Sequence, residues 1–167
     1  MGRGRVGPGV LVLSLVVVSS APATAQLALS VSVGPASYDL SGTGTSAIAA
    51  ARLETASGSR IGAQAGTGFF WYRTQSGRTD AMLLPELGVL VRPVRALPVH
   101  LAAGVGYSIG VEGDPAEDFV LYGAIGADIE DRGGWAIRPE FRLRVIDPWA
   151  GTMGEFTLGM RRRFGSG

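Results

Sequence analysis

The chain has 167 residues, with 15 basic against 14 acidic side chains, 26 glycines, no cysteine and no lysine. That charge balance implies no nucleic-acid or polyanion partner, and the missing thiol excludes disulfides, iron–sulfur clusters and thiolate metal sites. No apolar stretch after residue 25 reaches the ~20 residues that a membrane-crossing helix needs.

The first predicted element is a leader. Arg3 and Arg5 give a positive start, Val10 to Val18 form an apolar run broken only by Ser14, and Ala23-Thr24-Ala25 is a small-residue cleavage site. Residues 1–25 therefore read as a secretory signal peptide, too short in its apolar part to span a bilayer. Cleavage before Gln26 would leave one domain over 26–164 and a short tail at 165–167. Losing Arg3 and Arg5 leaves 13 arginines against 14 acidic residues, a charge of about −1.

Eight segments follow in which apolar and polar residues alternate, the period of a strand with two different faces. At 26–34, Leu27, Leu29, Val31 and Val33 oppose Ala28, Ser30, Ser32 and Gly34. At 46–55, Ala47, Ala49, Ala51 and Leu53 oppose Arg52 and Glu54. At 60–72, Ile61, Ala63, Ala65, Phe69 and Trp71 oppose Gly62, Gln64, Gly66, Gly68 and Tyr72. The fourth segment, 81–92, sets Leu83, Leu87, Val89 and Val91 against Glu86, Gly88 and Arg92, but Met82, Leu84 and Leu90 break the rule by falling on the polar face. At 99–110, Val99, Leu101, Val105, Tyr107 and Ile109 oppose His100, Gly104, Gly106, Ser108 and Gly110. At 118–130, Phe119, Leu121, Ile125 and Ile129 oppose Tyr122, Gly126, Asp128 and Glu130. The seventh, 135–145, is the cleanest, with Arg138, Glu140, Arg142 and Arg144 alternating with apolar residues from Trp135 onward. The eighth, 153–164, opposes Phe156, Leu158, Met160 and Phe164 to Glu155, Thr157, Gly159, Arg161 and Arg163.

Eight is an even number, and each segment is near the ~9–11 residues that a tilted strand needs to cross hydrocarbon. The predicted fold is all-β: an antiparallel up-and-down transmembrane barrel of eight strands. Even parity puts both chain ends on one side. With the leader placing the start in the periplasm, 35–45, 73–80, 111–117 and 148–152 face outward, and 56–59, 93–98 and 131–134 are periplasmic turns.

The competing reading is a soluble periplasmic barrel with the apolar face inside. Two features count against it. Nine glycines (62, 66, 68, 88, 104, 106, 110, 126 and 159) sit on the polar face, where solvent gives no reason for them but a narrow lumen does. Charges on that face also balance, as a desolvated interior requires. The expected lumen network is Arg52, Glu54, Glu86, Arg92, His100, Asp128, Glu130, Arg138, Glu140, Arg142, Arg144, Glu155, Arg161 and Arg163. Within it, the arginines of the seventh segment are expected to pair with Asp128, Glu130 and Glu155 on the neighbouring segments. An aromatic girdle is expected from Phe69, Trp71, Tyr107 and Phe119 at the outer ends of strands and from Trp135 and Phe164 at the inner ends.

On these residues the chain resembles the small eight-stranded outer-membrane β-barrels of the OmpA/OmpX type, across 26–164. Its end, Thr157-Leu-Gly159-Met-Arg-Arg162-Arg-Phe164, is similar to the aromatic-ended last strand by which such barrels are recognised for assembly. It departs at Arg162, a position usually apolar, and in the Gly165-Ser166-Gly167 that follows. The resemblance implies a Gram-negative-type outer membrane, contact with its lipid and lipopolysaccharide, recognition by the barrel assembly machinery, and a monomer.

No catalytic constellation is legible. His100 is the only histidine, and Ser108 on the same face is eight residues away, ~26 Å along a strand. Glu112, Asp114, Glu117 and Asp118 crowd one outer loop without the spacing of an EF-hand calcium site. Gly104-Val-Gly106-Tyr-Ser-Ile-Gly110 lies within a strand and is no phosphate loop. Pro85 and Pro139 each interrupt a segment and remove a ladder donor, marking either a bulge or a loosened seam. No cofactor or metal is expected. The function expected is a non-enzymatic envelope-structural or surface-interaction barrel with a closed, charged lumen. The alternatives are a lipid A-modifying enzyme, a small-solute, porin-like channel, and the soluble periplasmic barrel.

Overall fold

The computed structural model describes residues 26–38, 45–55, 60–73, 77, 79–94, 96–112, 118–130, 133–146 and 151–164. The predicted leader, the tail and most of the acidic loop lie outside these. The strands are β1 (Leu27–Tyr38), β2 (Thr45–Thr55), β3 (Ile61–Arg73), β4 (Thr79–Val91), β5 (Val99–Glu112), β6 (Asp118–Ala127), β7 (Ile129–Glu130), β8 (Trp135–Ile146) and β9 (Gly151–Phe164). β6 and β7 both pair with β8 in one continuous register, so they form a single crossing interrupted at Asp128. Each crossing pairs antiparallel with the next, and β1 pairs with β9, from Leu27↔Phe164 to Tyr38↔Met153. The result is a closed, eight-stranded, antiparallel, up-and-down barrel. Closure removes the open edges that a flat sheet of this size would leave unpaired.

Strands outrun the sequence-based bounds chiefly at one end. β1 reaches Tyr38 rather than stopping at residue 34, β4 starts at Thr79 rather than 81, and β5 runs on to Glu112. Residues 35–37, expected as loop, pair in order with β2, from Pro35↔Ala47 to Ser37↔Thr45, and Tyr38 pairs with Met153 of β9. A proline and small polar residues read as loop locally, but a neighbouring strand supplies ladder partners that local sequence does not reveal.

The barrel has a terminal end, carrying Leu27 and Phe164, and a distal end, carrying Tyr38, Thr45 and Gly151. Its faces follow the alternation closely. On β8, Trp135, Ile137, Phe141 and Leu143 are exposed, whereas Ala136, Arg138, Glu140, Arg142 and Arg144 are buried. The polar face is therefore the inner face.

The residues that broke the alternation have an explanation. Met82 and Leu84 turn inward with Ala36, Ile48, Phe70, Val120, Ile146 and Met153, forming an apolar cluster flanked by Tyr72. All of these lie toward the distal end of their strands. Leu90 is also buried, nearer the terminal end. The expected charged lumen has a hydrophobic plug as its distal part, packed around the fully buried Phe70, whose ring stacks on Tyr72 at 5.2 Å. Inside a barrel an inward position asks only for a side chain that fills the layer, so apolar residues serve as well as paired charges.

Prolines leave local gaps in single ladders. The β4–β5 register runs through Leu83↔Ile109 and resumes at Glu86↔Gly106, skipping Pro85, and a bulge lies between Ala81 and Met82. Across β6, β7 and β8, pairing stops at Gly126↔Glu140 and resumes at Ile129↔Ile137, skipping Pro139. On their other sides, Thr67↔Pro85 and Pro139↔Leu158 are paired. Each proline thus loses the ladder facing its missing N–H, and the strand itself continues.

Candidate functional site

Below the plug, the inner faces of β2, β4, β8 and β9 present arginines and carboxylates at the same heights, because antiparallel registers bring residues distant in sequence level with one another. The middle tier centres on Glu86 of β4. Arg52 Nε donates to Glu86 Oε1 at 2.6 Å, Arg142 Nη1 donates to the same oxygen, and Arg144 Nη1 lies 2.7 Å from Oε2. Glu140 accepts from Arg142 at 2.9 and 3.2 Å and lies 3.7 Å from Arg52. Arg144 also pairs with Glu155. The Tyr122 ring lies under Arg142, with the guanidinium carbon 4.4 Å from its centroid, and Gln64 Nε2 donates to its hydroxyl at 2.8 Å.

The lower tier, toward the terminal end, is built on Arg138. It pairs with Glu54 across the lumen and donates to Asp128 Oδ1 at 2.6 Å. Arg161 donates to Glu54 at 3.2 Å, and Arg92 reaches Asp128 at 3.5 Å. His100, fully buried, places Nε2 3.0 Å from Glu140 Oε2 of the middle tier. Arg52, Glu54, Glu86, Arg138, Glu140, Arg142, Arg144, Glu155 and Arg161 are each at most 3% exposed. Their charges are tolerable at that depth only because each guanidinium meets carboxylates and each carboxylate meets guanidinium groups.

Two of the residues assigned to the lumen sit elsewhere. Glu130 and Arg163 pair with each other at the terminal rim, with side chains 51% and 35% exposed. Arg92 is partly exposed at the same end. The expected neighbour pairing is corrected in part. Arg138 does meet Asp128 and Arg144 does meet Glu155, but Arg142 reaches across to Glu86, and Glu130 meets no arginine of β8 among the described residues. Sequence reasoning left Tyr122 and Gln64 out of the network, although both lie on the polar alternation of their strands; that alternation was the available signal.

Glycines make room for the large inner side chains. A Cβ at Gly88 or Gly104 would collide with the Tyr122 hydroxyl, and one at Gly126 would come within 2.7 Å of the His100 ring. Gly126→Val should therefore displace His100 from Glu140 and destabilise the barrel by roughly 1–3 kcal/mol. Gly123→Val on the outer face, where a Cβ meets nothing within 4 Å, should be close to neutral. Denaturant midpoints in detergent compare the two, and equal midpoints would count against a close-packed lumen.

Ser108 is no partner for His100: its hydroxyl is engaged with the backbone of Asp118, accepting from its N–H at 3.1 Å. Among the described residues no group of three metal-ligating side chains converges. The girdle residues Phe69, Tyr107, Phe119, Trp135 and Phe164 are exposed on the outer face and Trp71 is half-buried there, with the Phe69 and Trp71 rings 5.7 Å apart. The arrangement is chemically a set of buried ion pairs beneath an apolar cluster.

No protein-family model matches the chain, and no curated protein sequence matches it. Solved structures do. Neisserial surface protein A is similar over 83% of this chain and 97% of its own, with a TM-score of 0.59 and 12% identity. OprG, an outer membrane protein of Pseudomonas aeruginosa, is similar over 86% and 97%, with a TM-score of 0.57 and 12% identity. Ail, the attachment invasion locus protein of Yersinia pestis, is similar over 84% and 99%, with a TM-score of 0.56 and 11% identity, in a complex with the heparin analogue sucrose octasulfate. At such identities the likeness is one of fold: the chain has the fold of the small eight-stranded outer-membrane β-barrels.

Proposed function

We propose that the protein is an integral outer-membrane barrel with a closed lumen, non-enzymatic, serving an envelope-structural or surface-interaction role. The observation that carries this reading is the inversion of its two faces. Outside, every full crossing presents exposed apolar side chains, among them Leu29, Leu53, Phe69, Leu87, Leu101, Ile125, Phe141 and Leu158. Inside, the largest fully buried side chains are Arg142 and Arg144. Water would favour the opposite arrangement, because a continuous apolar exterior on this scale exposes far more than a soluble monomer tolerates. Hydrocarbon favours this one. The crossings of 11–14 residues also suit the thickness, since 12 residues at ~3.3 Å, tilted by ~45°, rise ~28 Å against a hydrocarbon core of ~30 Å.

The lipid-modifying alternative finds no support in the placement of His100, which is buried against Glu140 with Ser108 far up the barrel. In the preferred reading the terminal end faces the periplasm and the distal end the outside. Cysteine substitutions test both membrane insertion and orientation. Thr79→Cys, exposed at the distal end, should react with an impermeant thiol reagent in intact cells, and Ala96→Cys, in the turn after β4, should react only after the membrane is opened. The reverse pattern would invert the topology, and labelling of both in intact cells would end the spanning reading.

A further inference from the structure

We propose that Arg162, with Trp135 and Phe164, forms a binding site for the phosphate of an anionic phospholipid in the leaflet at the terminal end of the barrel. The site rests on the membrane-spanning reading above. Arg161, Arg162 and Arg163 are consecutive, and strand alternation gives them different surroundings. Arg161 turns inward to Glu54, and Arg163 meets Glu130 at the rim. Arg162 turns outward and is exposed, in register between Leu29 of β1 and Trp135 of β8, both exposed on the apolar face. Its guanidinium carbon lies 5.0 Å from the Trp135 ring centroid and 5.5 Å from that of Phe164. Among the described residues its partners are these two rings and no carboxylate.

A charge on the hydrocarbon-facing side is tolerated at the interface and not at the midplane, and Arg162 lies two residues from the end of β9. That is the depth of lipid headgroups. The two rings hold the guanidinium by cation–π attraction, which engages its face and leaves the N–H fork in its plane for an acceptor. A phosphodiester matches that fork with two oxygens. A headgroup without its own cation presents the phosphate uncompensated, which favours anionic over zwitterionic phospholipid. This reading also explains the arginine at a position where the last strand of such a barrel ordinarily carries an apolar residue.

The test reconstitutes the full chain in bilayer discs of phosphatidylcholine with a minor share of phosphatidylglycerol, then measures by mass spectrometry the lipid retained after extraction into detergent. The wild-type protein should enrich phosphatidylglycerol about fivefold more than Arg162→Gln does. Arg162→Lys should keep only part of the enrichment, since an ammonium lacks the planar fork, and Trp135→Leu should lower it as well. Arg73→Gln, the same charge change on an exposed residue at the distal end, should leave it intact. Excess inorganic phosphate should not strip the lipid; if it does, the site is one for free anions and the lipid assignment falls. Equal retention by wild type and Arg162→Gln, both inserted, would overturn the lipid site alone. Failure of the wild type to insert in discs of any composition would overturn the membrane reading with it.

Discussion

Glu86→Ala should destabilise the barrel by roughly 3–5 kcal/mol, the cost of breaking a buried ion pair by removing one partner. Glu86 is the carboxylate that Arg52, Arg142 and Arg144 share, and its side chain is fully buried. Without it, three arginines face only Glu140 and Glu155 in a space that water does not readily reach. The rim supplies the control. Glu130→Ala breaks the Arg163 pair, which is largely exposed, and should cost no more than ~1 kcal/mol. Urea midpoints of the two variants in the same detergent make the comparison. Similar losses for both would show that the lumen is hydrated and that its charges are screened.

Planar bilayers containing the unmodified protein should show no steady conducting steps. An ion crossing this barrel meets two barriers in series: the apolar plug around Phe70, Leu84 and Met153, then the tiers of arginine and carboxylate. In the closed-barrel reading the first excludes ions by withholding water, and the second fills the section below it with buried side chains. Barriers in series are governed by whichever is intact. Phe70→Ser alone and Arg142→Ala alone should therefore stay closed, whereas the double variant should conduct. Large, stable steps from the wild type would make solute passage the leading function and displace the closed-barrel reading. A single variant that conducts as well as the double would show that only one of the two barriers matters.

Much of this fold was legible along the chain because one physical signal dominates it. A strand with an apolar outer face and a polar, filled inner face must alternate, and β8 alternates almost without error from Trp135 to Arg144. The same parity places Arg161 inside and Phe164 outside. It fails at Met82 and Leu84, which look like errors in the pattern and are inward residues of the distal apolar layer, and at Leu90, which is buried nearer the terminal end. Alternation reports which face a residue occupies and not what that face touches.

Pairing across the lumen lay beyond the sequence for a related reason. Glu54 meets Arg138 and Arg161, 84 and 107 residues further along the chain, through side chains that reach through the interior to strands not paired with its own. Only barrel closure, through the β1–β9 register, sets which heights coincide and hence which charges meet. Local pattern assigned the strands, the two faces and the demand for balanced charge. Tertiary structure decided the partners, the distal plug and the rim position of Glu130, because these depend on distances through the interior that neighbouring residues do not encode.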